Sequence, residues 1–375
     1  MKAYFSLLVF SAFCIYISCG QSQQSASNTA IPNSQTEIKQ NILPKSTQSG
    51  TYLKLTKHEI MDREGTGMVA FTCLVPEGWT VQDKLYWEYN DATLPIRYQG
   101  KFRDAKQNML IQSYPDVRAV YSQGPTGTSG YPPPTGIIPG LKGMIKKERP
   151  GISFQVIDEK IINNPTPQKG YQQGAYHEQH YQSGFVRIEY LEGNQTMEEE
   201  FYGQLNVYNA TSQGVVTMNS TIWAAAGLQS CKAPKGKLEE CRKIALTIRA
   251  SSKPTLPFYN KFLQVVQILS DQVYQRIYQA GQISKIISQT NDQISKTISD
   301  SYWQTQKSND KSNAQFSDYL RGVDRYNDGN QTPVQLPSGY SNAWVNDRGE
   351  YLLSQSNGFD PNTTLTGNWK QLDKN

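Results

Sequence analysis

The sequence predicts an α+β protein: an antiparallel sheet covered by helices, followed by a long amphipathic helix and a small aromatic-rich β module. Three observations predict it. Short β-prone runs separated by turn residues recur at hairpin-like spacing from residue 51 to residue 234. Two later stretches switch to steps of three and four, the period of a helix with one apolar face. Residues 331–375 then return to strand-like runs and carry Tyr340, Trp344, Tyr351, Phe359 and Trp369 in a short span.

Composition bounds the reading. At 375 residues the chain is long enough for one sizeable domain with appendages, or for two domains. The apolar share is 37% and the mean hydropathy −0.61, so bulky core material must come from 23 Tyr, 12 Phe and 6 Trp. A net charge of +5 with no dominant Lys/Arg cluster argues against a nucleic-acid partner.

The first 20 residues read as a signal peptide. Lys2 supplies a positive start and Ala3 to Ile17 is an uncharged apolar run too short to span a bilayer. Ile17-Ser18-Cys19-Gly20 resembles a bacterial lipobox, with Tyr16 where Leu is usual, which implies lipidation of Cys19. The competing exit is ordinary cleavage after Gly20. Residues 21–50 are rich in Gln, Ser, Asn and Thr and free of aromatics, the composition of a flexible tether. The expected address is therefore the cell envelope, with a membrane anchor at Cys19; the alternative is a secreted soluble protein.

Residues 51–255 are the predicted sheet domain. Val69 to Val75 is an almost unbroken apolar strand, stopped by Pro76 and turned by Gly78 ahead of Trp79. Tyr52 to Lys57 is a strand beside it, and Leu85–Tyr89, Pro95–Gly100 and Met109–Tyr114 continue the series. Residues 124–140 read as a polyproline-like surface insertion, and Pro139 to Lys147 as a short helix. Ser153 to Ile162 is again a strand. A meander follows over 174–180, 185–191, 199–208 and 214–223, with turns at Gln182-Ser183-Gly184 and Glu192-Gly193-Asn194. Leu238 to Ser251 places Leu238, Cys241, Ile244, Ala245 and Ile248 on one helical face. Cys231 and Cys241, nine residues apart, invite a disulfide in an oxidising compartment, against the alternative of two free thiols; closing so short a loop contributes roughly 2–3 kcal/mol. Cys73 in the apolar strand reads as a small buried hydrophobe.

The order of Val75-Pro76-Glu77-Gly78-Trp79, a meander, Ala233-Pro234-Lys235-Gly236 and a helix closing on Ser251-Ser252-Lys253-Pro254 resembles the PsbP-type α/β sandwich, over residues 51 to about 265. The resemblance implies a non-catalytic binding or assembly domain, with no set of functional residues to carry across.

Residues 256–303 form the predicted long helix. Phe262, Val266, Leu269, Val273, Ile277, Ala280, Ile283, Ile287, Ile294 and Ile298 make its stripe. That stripe either packs on the sheet domain or, over 257–303, pairs with a second chain or a protein partner. Residues 304–330 read as a linker and 331–375 as a separate β module with a hairpin at Asn346-Asp347-Arg348-Gly349. Its aromatics are either a mini-core or, through Tyr340, Trp344, Tyr351 and Trp369, a ligand-facing platform.

Chemistry-bearing patterns are sparse. His177-Glu178-Gln179-His180 lacks the i, i+4 histidine pair of a zinc helix, and on a strand the two imidazoles point to opposite faces. Glu198-Glu199-Glu200, with Glu189 and Glu192 nearby, could supply paired carboxylates, or merely charge a strand edge. No metal and no cofactor are expected. The reading is a non-enzymatic, exported envelope lipoprotein acting as a binding or scaffold module. The rival is an envelope-polymer hydrolase using those carboxylates or the His177/His180 pair.

Overall fold

A hairpin of two strands, β1 (Tyr52–Met61) and β2 (Val69–Pro76), begins the fold as described by a computed structural model of residues 52–89, 91, 95–172, 175–213, 217–271, 296–320, 322–329 and 333–375. The leader, Cys19 and the tether lie outside the described residues, as does the middle of the predicted long helix, 272–295. β2 buries nearly every side chain and ends at Pro76, and Gly78 takes a positive φ of 84° in the turn before Trp79. β3 (Thr80–Trp87), β4 (Ile96–Asp104) and β5 (Met109–Ser113) follow as a meander. β4 alternates buried and exposed along Ile96, Tyr98, Gly100 and Phe102, as a strand with one face on the core must.

The predicted insertion is partly a hairpin, β6 (Val117–Gly124) with β7 (Gly127–Gly130), before α1 (Ile137–Glu148). Ile137, Leu141 and Ile145 on α1 recur every four residues and are buried. β8 (Phe154–Asn163) and β9 (Gln168–Gln172) then lie against successive halves of one very long strand. Three such strands form the spine: β10 (Ala175–Glu192), β11 (Gln195–Gln213) and β12 (Thr217–Pro234). At about 3.3 Å per residue each runs roughly 60 Å.

The turn expected at Gln182-Ser183-Gly184 is not a turn. Gly184 pairs with Gly203 across the β10–β11 ladder, and both lie beneath α1. A Cβ on Gly184 would meet the Lys160 carbonyl oxygen at 2.7 Å and the Ile137 side chain at 3.2 Å. The glycine is a packing notch that lets the chain run straight under the helix.

α2 (Leu238–Ser251) spans the residues its spacing predicts, and all five stripe residues are buried. β13 (Lys253–Pro254) adds to the edge of β2, and α3 (Leu256–Asp271) buries Phe258, Tyr259, Phe262, Val265 and Leu269. α4 (Lys296–Leu320) follows, then β14 (Val323–Asn327), β15 (Val334–Pro337), β16 (Asn342–Asn346), β17 (Tyr351–Ser354), α5 (Pro361–Thr364), β18 (Trp369–Gln371) and β19 (Asp373–Lys374).

The predicted fold class is overturned. Strand exceeds helix by 53% to 21%, in three antiparallel sheets. The sheets run β13-β2-β1-β17-β16-β18, then β3-β4-β5-β12-β11-β10-β8 with β6, β7 and β9 attached, and β15-β14-β19. Among the described residues the helices are few and form no continuous layer over one sheet. β1, β2, β3, β4, β5 and the end of β12 share one core with α2 and α3; α1 covers a second core on the long strands; and β1, β2 and the C-terminal strands close a third.

The single long amphipathic helix is also overturned. A continuous helix at 1.5 Å per residue would hold Tyr259 and Tyr302 about 65 Å apart. Their rings instead meet edge-on at 5.5 Å, and the Tyr259 hydroxyl lies 3.1 Å from Ser301 Oγ. The chain doubles back, so α4 packs on α3, and α4 occupies much of the stretch expected to be a linker. Tyr302 and Gln306, one turn apart on a polar-looking helix, are buried there. The C-terminal segment likewise does not stand alone. Residues Tyr52 to Leu55 pair with Ser354 to Tyr351, so β1 makes one sheet of both chain ends.

Candidate functional site

A concavity of about 940 Å³ lies where β1 and β2, the end of α2, α4 and the C-terminal strands converge. α4 supplies one wall. Trp303, Gln306 and Asp310 fall at i, i+3 and i+7, on one face of that helix, and all three line the groove. Trp303 is half exposed, at 51%, whereas Gln306 is 4% exposed and its Nε2 has no hydrogen-bond partner. Tyr302 is fixed by donating its hydroxyl to the Pro254 carbonyl at 2.8 Å.

The opposite wall comes from the two chain ends. The Tyr351 hydroxyl donates to Asp328 Oδ2 at 2.6 Å, and burial followed by that carboxylate raises the phenol's pKa. Lys57, Lys253 and Lys307 line the groove together with Asp310 and Asp328, so the charges nearly balance. Lys253 Nζ stands 3.5 Å from Asp310 Oδ2, an ion pair across the edge of the site. Ser251 is held in place by accepting from the Leu74 amide at 2.9 Å and donating to the Thr247 carbonyl at 2.7 Å. The floor is therefore rigid, formed from a strand and a helix end, while the indole stands above it.

The sequence-predicted residues separate into three groups. Of the aromatic platform only Tyr351 reaches the groove. Trp344 and Trp369 are buried with Leu352, Phe359 and Leu365, and Tyr340 packs against the core containing Leu336 and Tyr326. The turn that holds this hairpin is as read: Asn346 Oδ1 accepts from the amides of Arg348 and Glu350, each at 3.0 Å, and Gly349 has φ 71°.

The acids and imidazoles of the rival reading are not assembled. Glu199 is fully buried beneath α1, where Arg149 donates to both its oxygens at 2.9 and 2.5 Å and the Tyr190 hydroxyl donates at 3.0 Å. Burial opposes the charge on Arg149, yet the hydrogen bonds and charge of Glu199 raise its pKa on balance. Glu200 points to the other side of the strand and is held by Arg187 at 2.9 Å and Arg242 at 3.7 Å. His180 lies seven residues along β10 from Arg187, the partner opposite Glu200, which is about 23 Å. His177 stacks on Tyr208 and bonds its hydroxyl, and His180 approaches Glu178 at 3.3 Å. Among the described residues no group of three or more His, Cys, Asp or Glu is placed to hold a metal ion.

Cys231 and Cys241 are buried free thiols, as is Cys73. The pair is close enough that Cys241 hydrogen-bonds Cys231, a contact that with burial pushes the Cys231 thiol well above its ordinary pKa. Cys241 Sγ also donates to the Lys232 carbonyl at 3.5 Å. Burial raises Cys73 to about 12, in keeping with an inert core residue.

No family model matches the chain, and no curated protein matches it. Among solved structures, LpqN, involved in cell envelope biogenesis of Mycobacterium tuberculosis, aligns over 54% of this chain and 91% of its own at 12% identity, with a TM-score of 0.19. A superposition of that quality carries neither fold nor function, and the PsbP-type resemblance gains no support. No described helix is long and apolar enough to cross a membrane.

Trp303, Gln306 and Asp310 were not among the residues the sequence singled out. Their one legible signal is a lone Trp in a Gln/Ser/Asn-rich run, with a carboxamide and a carboxylate on the same helical face.

Proposed function

We propose that this chain is an exported, envelope-side binding protein, anchored through a lipid on Cys19, that engages its ligand in the groove between α4 and the sheet formed from both chain ends. The groove carries this reading: it combines a half-exposed indole, a buried amide donor without a partner among the described residues and a carboxylate on each wall. Ligand sites are concave, with apolar lining and a few placed polar groups, and commonly measure about 300–1,000 Å³. The leader residues Ile17-Ser18-Cys19-Gly20 support the address, and the polar tether after them supports a body held away from the membrane.

Two measurements test it with the full chain. Cys19→Ala should move the protein from the membrane fraction to the soluble exported fraction; unchanged partitioning removes the anchor. Trp303→Ala with Asp310→Ala should abolish retention of envelope material on the immobilised protein without lowering its unfolding temperature. Retention equal to the parent would place the binding surface elsewhere. The role needs no catalysis, so His177→Ala with His180→Ala should leave the cellular phenotype intact.

A further inference from the structure

We infer that the groove is a saccharide site, taking a short uncharged glycan chain; this deepens the binding role proposed above and rests on it. Three features select the ligand. First, the half-exposed Trp303 offers an apolar face at the mouth of a polar groove. The C–H faces of pyranose rings stack on such an indole, which supplies large contact area at little conformational cost. Second, Gln306 Nε2 is buried without a partner among the described residues, and an unmade hydrogen bond there is destabilising. A ligand hydroxyl reaching the groove wall removes that penalty. Third, the polar groups are carboxamide, carboxylate and amine, a set that matches hydroxyls acting as donors and acceptors at once.

The same lining disfavours other occupants. Asp310 and Asp328 offset the three lysines, so the groove offers no strong positive field to a phosphate-rich or polyacidic ligand. The polar groups would be left unpaired beneath an acyl chain. A volume of about 940 Å³ is at the upper end of ligand pockets, so the site holds several linked rings rather than one sugar.

The experiment is calorimetric and fluorescence titration of the full chain with a chito-oligosaccharide and with an α-glucan oligosaccharide. Binding of at least one is expected, with a change in tryptophan emission. Trp303→Ala should weaken it at least tenfold, which is about 1.4 kcal/mol. Gln306→Leu is the sharper variant: it should weaken binding while leaving the unfolding temperature unchanged or raised, because leucine removes an unsatisfied donor from a buried position. A fall in unfolding temperature typical of a lost core hydrogen bond would make the amide structural and overturn the inference. Saccharide binding that neither variant alters would overturn it as well. Should Trp303→Ala abolish retention of envelope material while neither oligosaccharide binds, the groove keeps its binding role and the saccharide assignment fails. Should Trp303→Ala affect neither, the groove is not the binding surface and both assignments to it fail.

Discussion

Glu199 is the side chain whose replacement separates a structural carboxylate from a catalytic one. It is fully buried on β11, and it accepts from Arg149 Nε, Arg149 Nη2 and the Tyr190 hydroxyl. Arg149 caps the C-terminal end of α1 and also lies over the Phe201 ring at 5.6 Å, so the pair fastens that helix to the long strands. Glu199→Ala removes the counter-charge of a guanidinium whose side chain is only 13% exposed, and it strands the Tyr190 hydroxyl. Breaking a buried pair from one side costs about 3–5 kcal/mol, much of it the penalty for the charge left behind. At about 2–4 °C per kcal/mol for domains of 150–250 residues, the unfolding temperature should fall by roughly 6–20 °C. Hydrogen exchange should accelerate across residues 137–148. The double variant Arg149→Met with Glu199→Leu should recover most of the loss, since two apolar groups of similar shape leave no orphaned charge. A single variant costing under about 1 kcal/mol would refute this account and reopen Glu199 as a reactive acid.

Three further outcomes are expected. Alkaline titration should unfold the protein late: unfolded phenols ionise near pH 10, whereas burial lifts Tyr114 to about 12 and raises Tyr98 and Tyr190 as well. Because the folded state holds these protons more tightly, their stabilisation is complete below pH 10 and is lost as pH rises through about 12; tyrosinate absorbance that rose fully before loss of near-ultraviolet ellipticity would contradict it. Made in an oxidising compartment, the chain should join Cys231 to Cys241, two protons and two electrons passing to a disulfide-bearing oxidant. Alkylation after unfolding without reductant should then label Cys73 but neither partner, and labelling of all three leaves the thiols free. Gly184→Ala should destabilise by about 1–3 kcal/mol, since its Cβ meets a backbone oxygen that cannot rotate away; a neutral effect in thermal unfolding would dismiss the notch.

Local signals survived into the structure where one element decides its own conformation. α2 follows its apolar period, the β16–β17 turn follows its Asn and Gly, and β2 stops at its Pro. What failed were inferences that depended on a distant partner. Gly184 reads as a turn residue because glycine marks turns; only the helix passing above it, contributed by residues 137–148, makes it a notch. Tyr52 to Leu55 and Tyr351 to Ser354 carry no mark showing that they pair, yet that pairing turns a supposed separate module into half of a sheet. The same pairing hid the groove. Its walls are drawn from four remote stretches, and Trp303, Gln306 and Asp310 lie on α4, which from residue 304 onward reads as a linker until Tyr259 and Tyr302 are found in contact.

That arrangement has a consequence for how the groove is kept in shape. The Tyr351–Asp328 hydrogen bond, the Tyr302 bond to the Pro254 carbonyl and the contact of Tyr259 with Ser301 tie each wall to a different part of the chain. A surface assembled from such remote pieces exists only once the sheet through β1 and β17 has closed. Its geometry is therefore coupled to global folding, as suits a preorganised binding site, where a ligand need not supply the ordering entropy. Trp303 takes no part in those hydrogen bonds; it is 51% exposed and its ring meets Tyr302 edge-on at 5.1 Å. Walls tied to remote parts of the chain, with an exposed indole braced on Tyr302 between them, are what the proposed stacking of a flat-faced ligand requires.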